Sequence, residues 1–215
     1  MADSVPVFPV TLSVDYPDGE LNRLSTFFRG ILIIPAGIML ALLVSPVWAW
    51  GPGAGPAPQL WRVFFAAGTF LFLPTLLMIL FRRKYPRWWF DWNVAVTKFG
   101  ARVMAYGALL TDQYPSTERE QSIHVSIPFP DARQDLLPGM PLVKWFLAIP
   151  HFFLLFFLCV AAAFCIFISW FAILFTGRFP RGFFQFVVGV GRWALRVGAY
   201  AFLLVTDVYP PFSLS

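Results

Sequence analysis

Charge is scarce in this 215-residue chain. Asp, Glu, Lys and Arg make up 13% of it, about half the share of an ordinary globular domain, which excludes a disordered or highly solvated protein. Cysteine is also scarce: Cys159 and Cys165, both inside one apolar run, are too few for a disulfide framework. With two histidines and no H-x-x-x-H or C-x-x-C spacing, the chain offers no protein-only metal site, and no cofactor is expected. Carboxylates are missing from the long apolar stretches. Asp15, Asp18, Glu20, Asp112, Glu118, Glu120, Asp131 and Asp135 all fall outside them, which counts against an ion-coupled transporter. No Ser/His/Asp set or carboxylate pair supports catalysis, so an enzyme is not expected. Gly51-Pro52-Gly53-Ala54-Gly55-Pro56 lacks the Lys and Ser/Thr of a phosphate loop and is read as a linker.

Apolar residues fill the space that charge leaves. They reach 59%, with 26 Phe and 9 Trp, and the mean hydropathy is +0.70. A chain of this make-up is solvated mainly by lipid. The net charge of +5 then follows from the tendency of Lys and Arg to collect on the cytoplasmic side, and nucleic acid is not an expected partner.

The sequence repeats itself. Leu80 to Tyr106 aligns without gaps on Leu174 to Tyr200, with eleven of 27 positions identical, among them Pro86/Pro180, Arg87/Arg181, Arg102/Arg196 and Tyr106/Tyr200. One inserted residue later, Thr111-Asp112-Gln113-Tyr114-Pro115 meets Thr206-Asp207-Val208-Tyr209-Pro210, so each half closes on a T-D-x-Y-P turn. Leu12 to Asp18 corresponds to Val125 to Asp131, and Arg29 to Pro35 corresponds to Lys144 to Pro150. The halves are read as 7–120 and 121–214.

Each half opens with a short alternating segment: Val10, Leu12 and Val14 in the first, Ile123, Val125 and Ile127 in the second. Both read as half-buried strands that can pair with each other across the duplication. A long apolar region follows. In the first half it divides into Phe27–Val47 and Leu60–Phe81 around a Gly/Pro loop at Trp48 to Pro58, two segments long enough to cross ~30 Å of hydrocarbon. In the second half Trp145 to Phe175 runs 31 residues without formal charge. A tilted, kinked helix and a tight hairpin both fit it, and the parallel with the first half favours the hairpin. Arg23, Arg29, Arg82, Arg83, Lys84, Lys144 and Arg178 flank these regions, so the hairpin tips are expected outside and both termini in the cytoplasm.

After each apolar region comes an amphipathic helix starting at a proline, about 86–111 and 181–205. Arg87, Asp91, Lys98 and Arg102 lie within about 60° of one another on the first, and Arg181, Gln185, Arg192 and Arg196 repeat the stripe on the second. Placed in the membrane plane, such helices reach anionic headgroups with their basic side chains, each worth roughly 1 kcal/mol. Trp88, Trp89 and Trp92 suit an interfacial belt or a partner surface equally. The candidate lipid- or partner-binding residues are therefore Arg87, Lys98, Arg102, Arg181, Arg192, Arg196, Trp88, Trp89 and Trp92. A solvated face is the plain alternative. Asp112 and Asp207 are read as turn-capping residues. Ala161 to Ala163, Gly189, Gly191 and Gly198 offer close helix approach. His151 is a weak metal-ligand candidate, with a helix-packing histidine as the plainer reading; Ala36 stands at its aligned position.

Leu142 to His151, Trp170 to Gly182 and Thr206 to Phe212 resemble an uncharacterised bacterial membrane family catalogued as domain of unknown function 4389. The first half resembles a divergent copy, with Arg83 in place of Gly177 and Ala36 in place of His151. The resemblance implies a bacterial plasma (inner) membrane location and brings no activity. The expected fold is an all-α integral membrane protein of tandem helical hairpins, each followed by an in-plane amphipathic helix, with short β segments on the cytoplasmic face. The expected function is a non-enzymatic accessory, assembly or scaffold subunit whose partners are anionic lipids and other membrane subunits. Lipid binding or small-molecule transport is the alternative, and a cofactor-binding electron-transfer subunit using His151 is the third.

Overall fold

The computed structural model describes residues 8–17, 19–44, 72–119, 121–132, 136–137 and 139–215. The Gly/Pro loop at Trp48 to Pro58, residues 60–71 of the second apolar segment, Asp18, Glu120 and Asp135 lie outside the described residues.

The described residues are mostly helical, with one small sheet among them. Strand β1 is Thr11–Val14, and helices α1, Arg23–Leu32, and α2, Ile34–Val44, follow. Helix α3 is Phe72–Arg82 and α4 is Arg87–Gly107. Strand β2 is Ile123–Ser126, α5 is Met140–Thr176 and α6 is Arg181–Gly198, which runs on into a π-helical turn at Ala199–Leu203.

Local chemistry sets these boundaries. Asn22 caps α1, its Oδ1 accepting from the backbone N–H of Leu24 (3.0 Å) and Ser25 (3.1 Å). Pro35 has no N–H to continue the ladder, and the helix breaks at Ile33 between α1 and α2. Its aligned partner Pro150 sits inside α5 without ending it: Met140–Thr176 is one helix of 37 residues. The hairpin favoured for this stretch is therefore replaced by the single-helix reading, because no Gly/Pro pair follows Pro150 to turn the chain. Helix α5 ends at Gly177, left-handed at φ 74°, whose N–H bonds to the Ile173 carbonyl (2.8 Å). Arg83, aligned with Gly177, is left-handed too, at φ 46°.

Among the described residues, three helical stretches are long and apolar enough to cross a membrane: Arg23–Val44, Met140–Thr176 and Arg181–Leu203. The last is more than half buried inside the protein; the first two are mostly uncovered.

The strands pair antiparallel with Leu12 opposite Val125 and Ser13 opposite His124. Their alternation is as read from sequence: Leu12 and Ile123 are buried while Thr11, Ser13, His124 and Ser126 face out. Leu12 and Val125 are aligned in sequence and are also each other's partner in the sheet. Packing runs crosswise: β1 of the first half lies on α6 of the second, and β2 lies on α4 of the first.

Candidate functional site

Two buried cations organise the layer where the T-D-x-Y-P turns meet the helices. Arg29 of α1, 3% exposed, donates from Nη1 to the carbonyls of Tyr106 (3.2 Å) and Thr111 (2.5 Å). It is ion-paired through Nη2 with Asp112 Oδ1, and its guanidinium lies 4.4 Å from the Tyr106 ring centroid. Lys144 of α5, fully buried, does the same work at the aligned position. Its Nζ donates to the Thr206 carbonyl (2.7 Å), pairs with Asp207 Oδ1 (2.7 Å) and lies 5.2 Å from the Tyr200 ring centroid. The second oxygen of each carboxylate reaches the backbone upstream: Asp112 Oδ2 accepts from Asn22 N–H (2.7 Å) and Asp207 Oδ2 from Leu137 N–H (2.7 Å). Asn22 precedes Arg29 by seven residues, as Leu137 precedes Lys144. A cation taken out of water must be paired and hydrogen-bonded to persist, and each here is paired and hydrogen-bonded by its own turn, with Arg29 Nε left without a partner among the described residues.

The inserted residue between Tyr200 and Thr206 is absorbed in the π turn. Leu110 N–H reaches back to the Ala105 carbonyl (3.0 Å), and its equivalent Val205 reaches the Ala199 carbonyl (3.2 Å), one residue further. Leu109 (φ 65°) and Leu204 (φ 55°) then turn the chain through the left-handed region in both halves, so Thr111 and Thr206 arrive in the same relation to their cations.

The basic stripes lie against this layer. Arg181 is 5.2 Å from the Tyr16 ring centroid, and Tyr16 packs edge-on against Phe184 at 5.0 Å. At the aligned positions Arg87 is 5.4 Å from the Phe129 centroid, and Phe129 packs edge-on against Phe90 at 5.0 Å. Arg192 donates to the carbonyls of Leu12 (3.0 Å) and Leu214 (3.1 Å), and Arg102 to the Ser116 carbonyl (2.6 Å). These two therefore tie the strand and closing segments to α6 and α4. Lys98 has no partner among the described residues; it lines a recess of about 180 Å³ with Arg102 and His124. Arg196 is half-buried, its Nε without a partner among the described residues. A wider groove of about 640 Å³ is bordered by Tyr16, Arg181, Gln185 and Arg192.

The tryptophans divide. Trp88 is exposed, whereas Trp89 donates to Thr75 Oγ1 (2.9 Å) and stacks on Trp92 at 5.3 Å, joining α4 to α3. Tyr85, just before α4, donates to the Leu203 carbonyl (3.1 Å), and burial pushes its phenol up to about 12. His151 is fully buried, and its Nδ1 accepts from Trp193 Nε1 (3.1 Å). The neutral ring then carries its proton on Nε2, so neither nitrogen offers a lone pair to a metal. Gly189 is approached by the closing segment rather than by a helix: a Cβ there would meet Leu214 at 3.0 Å.

The stripe residues are legible from periodicity; the clamps Arg29–Asp112 and Lys144–Asp207 join residues too far apart in sequence for any local pattern to mark them. Their signal was present in four aligned charges flanking aligned tyrosines.

Residues 141–213 match the model of the family described as Domain of unknown function (DUF4389), a stretch covering α5, α6 and the second T-D-x-Y-P turn. No curated protein and no solved structure matches the chain.

Proposed function

We propose that the chain is a tandemly duplicated integral protein of the bacterial plasma membrane that acts without catalysis, as an accessory or assembly subunit of a larger membrane complex. The two cation–carboxylate clamps support the duplication, because residues aligned in sequence make the same contacts in both halves. The crosswise pairing of each strand with the other half's helix supports a pseudo-twofold arrangement.

One observation carries the scaffold reading. Arg29 and Lys144 are closed on the protein's own turns, while α5 turns outward Phe146, Phe153, Phe156, Phe164, Phe167 and Phe175, each more than half exposed. Such a surface suits lipid and apolar helices of a partner. Purification in a gentle detergent followed by mass spectrometry tests it. Stoichiometric co-purification with other membrane subunits is expected, and a partner-free protein at native expression level would overturn it.

Lipid binding at the stripes is the second reading, favoured by the open groove beside Arg181 and Arg192 and by Lys98, which has no partner among the described residues. Changing Lys98, Arg102, Arg192 and Arg196 to Gln, each in turn, separates the two: lost anionic-lipid binding with assembly intact supports the second. The basic flanks Arg23, Arg82, Arg83 and Lys84 support a cytoplasmic N-terminus. Cysteine labels at Gly53 and Arg83 check this, with Gly53 expected on the outer side and Arg83 on the inner.

A further inference from the structure

In the second half the space between the start of α5, the middle of α6 and the segment after the turn is filled by the chain itself. Phe212 stacks face-on against His151, ring centroids 4.1 Å apart and planes within 12°. Trp193 closes one side at 5.8 Å from Phe212 and Tyr209 the other at 6.0 Å. At the aligned positions of the first half stand Thr117, Ala36 and Phe99, in place of Phe212, His151 and Trp193. Each side chain is smaller, and at that place lies a cavity of about 800 Å³. Protein interiors pack closely, and a space this size falls in the range of small-molecule sites, about 300–1,000 Å³.

The lining has two characters. Ala36, Met39 and Phe99 form an apolar wall continuous with the face of α2 that exposes Ile38 and Leu42. Arg119 is the one charged residue on the lining, is exposed, and has no side-chain partner among the described residues. Gln113 and Gln121 are spent on the loop itself, accepting from Ser122 and Ser116. An apolar wall opening toward lipid, with one cation at its polar edge, complements a molecule that is a hydrocarbon chain at one end and an anion at the other. A free phosphate would gain nothing from the wall.

We infer that this cavity binds an anionic membrane amphiphile, its apolar chain taking the place that Phe212 and His151 take in the second half and its phosphate meeting Arg119. The inference rests on the duplication and membrane placement proposed above, and not on the accessory role.

The test uses the full chain, purified in detergent and titrated with phosphatidylglycerol, phosphatidylcholine or inorganic phosphate, with bound molecules counted by native mass spectrometry. Ala36→His with Thr117→Phe copies the second half's plug into the first. This variant is expected to keep the wild-type thermal midpoint or exceed it, and to bind phosphatidylglycerol about tenfold more weakly at one site. Arg119→Gln is expected to keep the lipid but lose an about fivefold preference for phosphatidylglycerol over phosphatidylcholine. Equal phosphatidylglycerol binding by the plugged and unaltered proteins would overturn the site, and so would displacement of the lipid by inorganic phosphate. Should the plugged variant not fold, phosphatidylglycerol with a diazirine in its acyl chain decides on the unaltered protein. Crosslinks to the peptides holding Met39 and Phe99 are expected; crosslinks confined to α5 would overturn the site. Recovery of the chain in the aqueous phase of a detergent phase separation would overturn the membrane placement itself, a result separable from all of these.

Discussion

Arg29 and Lys144 are the residues on which the largest effects should fall. Each is buried with a carboxylate and backbone carbonyls as its company, so removing the acid leaves an uncompensated charge. Asp112→Ala and Asp207→Ala are each expected to cost about 3–5 kcal/mol, read as a lowered unfolding midpoint in detergent. Replacing both partners of the second clamp, Lys144→Met with Asp207→Leu, should recover most of that loss, since no charge then remains to be solvated. Tyr85 gives a pH signature. Its phenol keeps its proton to about 12 in the folded chain against an ordinary 10.0, so the unfolded chain releases the proton first as pH rises. Stability from this group is complete below pH 10 and is lost between about pH 10 and 12, by roughly 2–3 kcal/mol. Thermal unfolding at pH 9 and pH 11.5 should show the drop, and Tyr85→Phe should remove that part of it. Arg83 sits left-handed where its counterpart is glycine. Arg83→Gly is expected to stabilise by about 0.5–1 kcal/mol, the relief of the left-handed side chain exceeding the added freedom of the unfolded chain.

Among the elements, the π turn offers a clean comparison, because the first half makes the same connection with one residue fewer. Deleting one residue within Ala199–Leu203 should leave a folded protein with Lys144 still paired, whereas deleting Val190 from the buried face of α6 should not. Amide hydrogen exchange along α6 distinguishes the outcomes. The strands, the amphipathic helices and the T-D-x-Y-P turns were legible because each has a local signal: alternation at Leu12 and Val125, proline at Pro86 and Pro180, and a repeated five-residue motif. Helix α5 was harder. Over Trp145 to Phe175 every residue but His151 is apolar or small, so length is the only guide to one helix or two, and length is intermediate. The clamps were hidden for another reason. Arg29 and Asp112 are 83 residues apart, and basic residues beside apolar segments are ordinary enough to need no further account. The stripe's periodicity was visible, but not that Arg102 and Arg192 would close on backbone carbonyls of distant segments.

For the whole molecule, crosswise packing means that neither half is closed without the other. Tyr16 fills the space over Phe184 in one direction and Phe129 the space over Phe90 in the other. Residues 121–215 expressed alone are therefore expected to self-associate, Phe129 of one copy taking the position that Tyr16 holds here. Light scattering in detergent checks this, and a folded monomer would contradict it. The long reach of the first clamp has a further consequence while the chain is being made. At roughly 5–20 residues per second, synthesis delivers Asp112 about 4–17 s after Arg29, and until then the arginine emerges from the ribosome with no counter-ion of its own. On the membrane reading, α1 cannot settle at final depth in that interval; it must wait at the headgroup level, and its seating becomes one of the last events in building the first half.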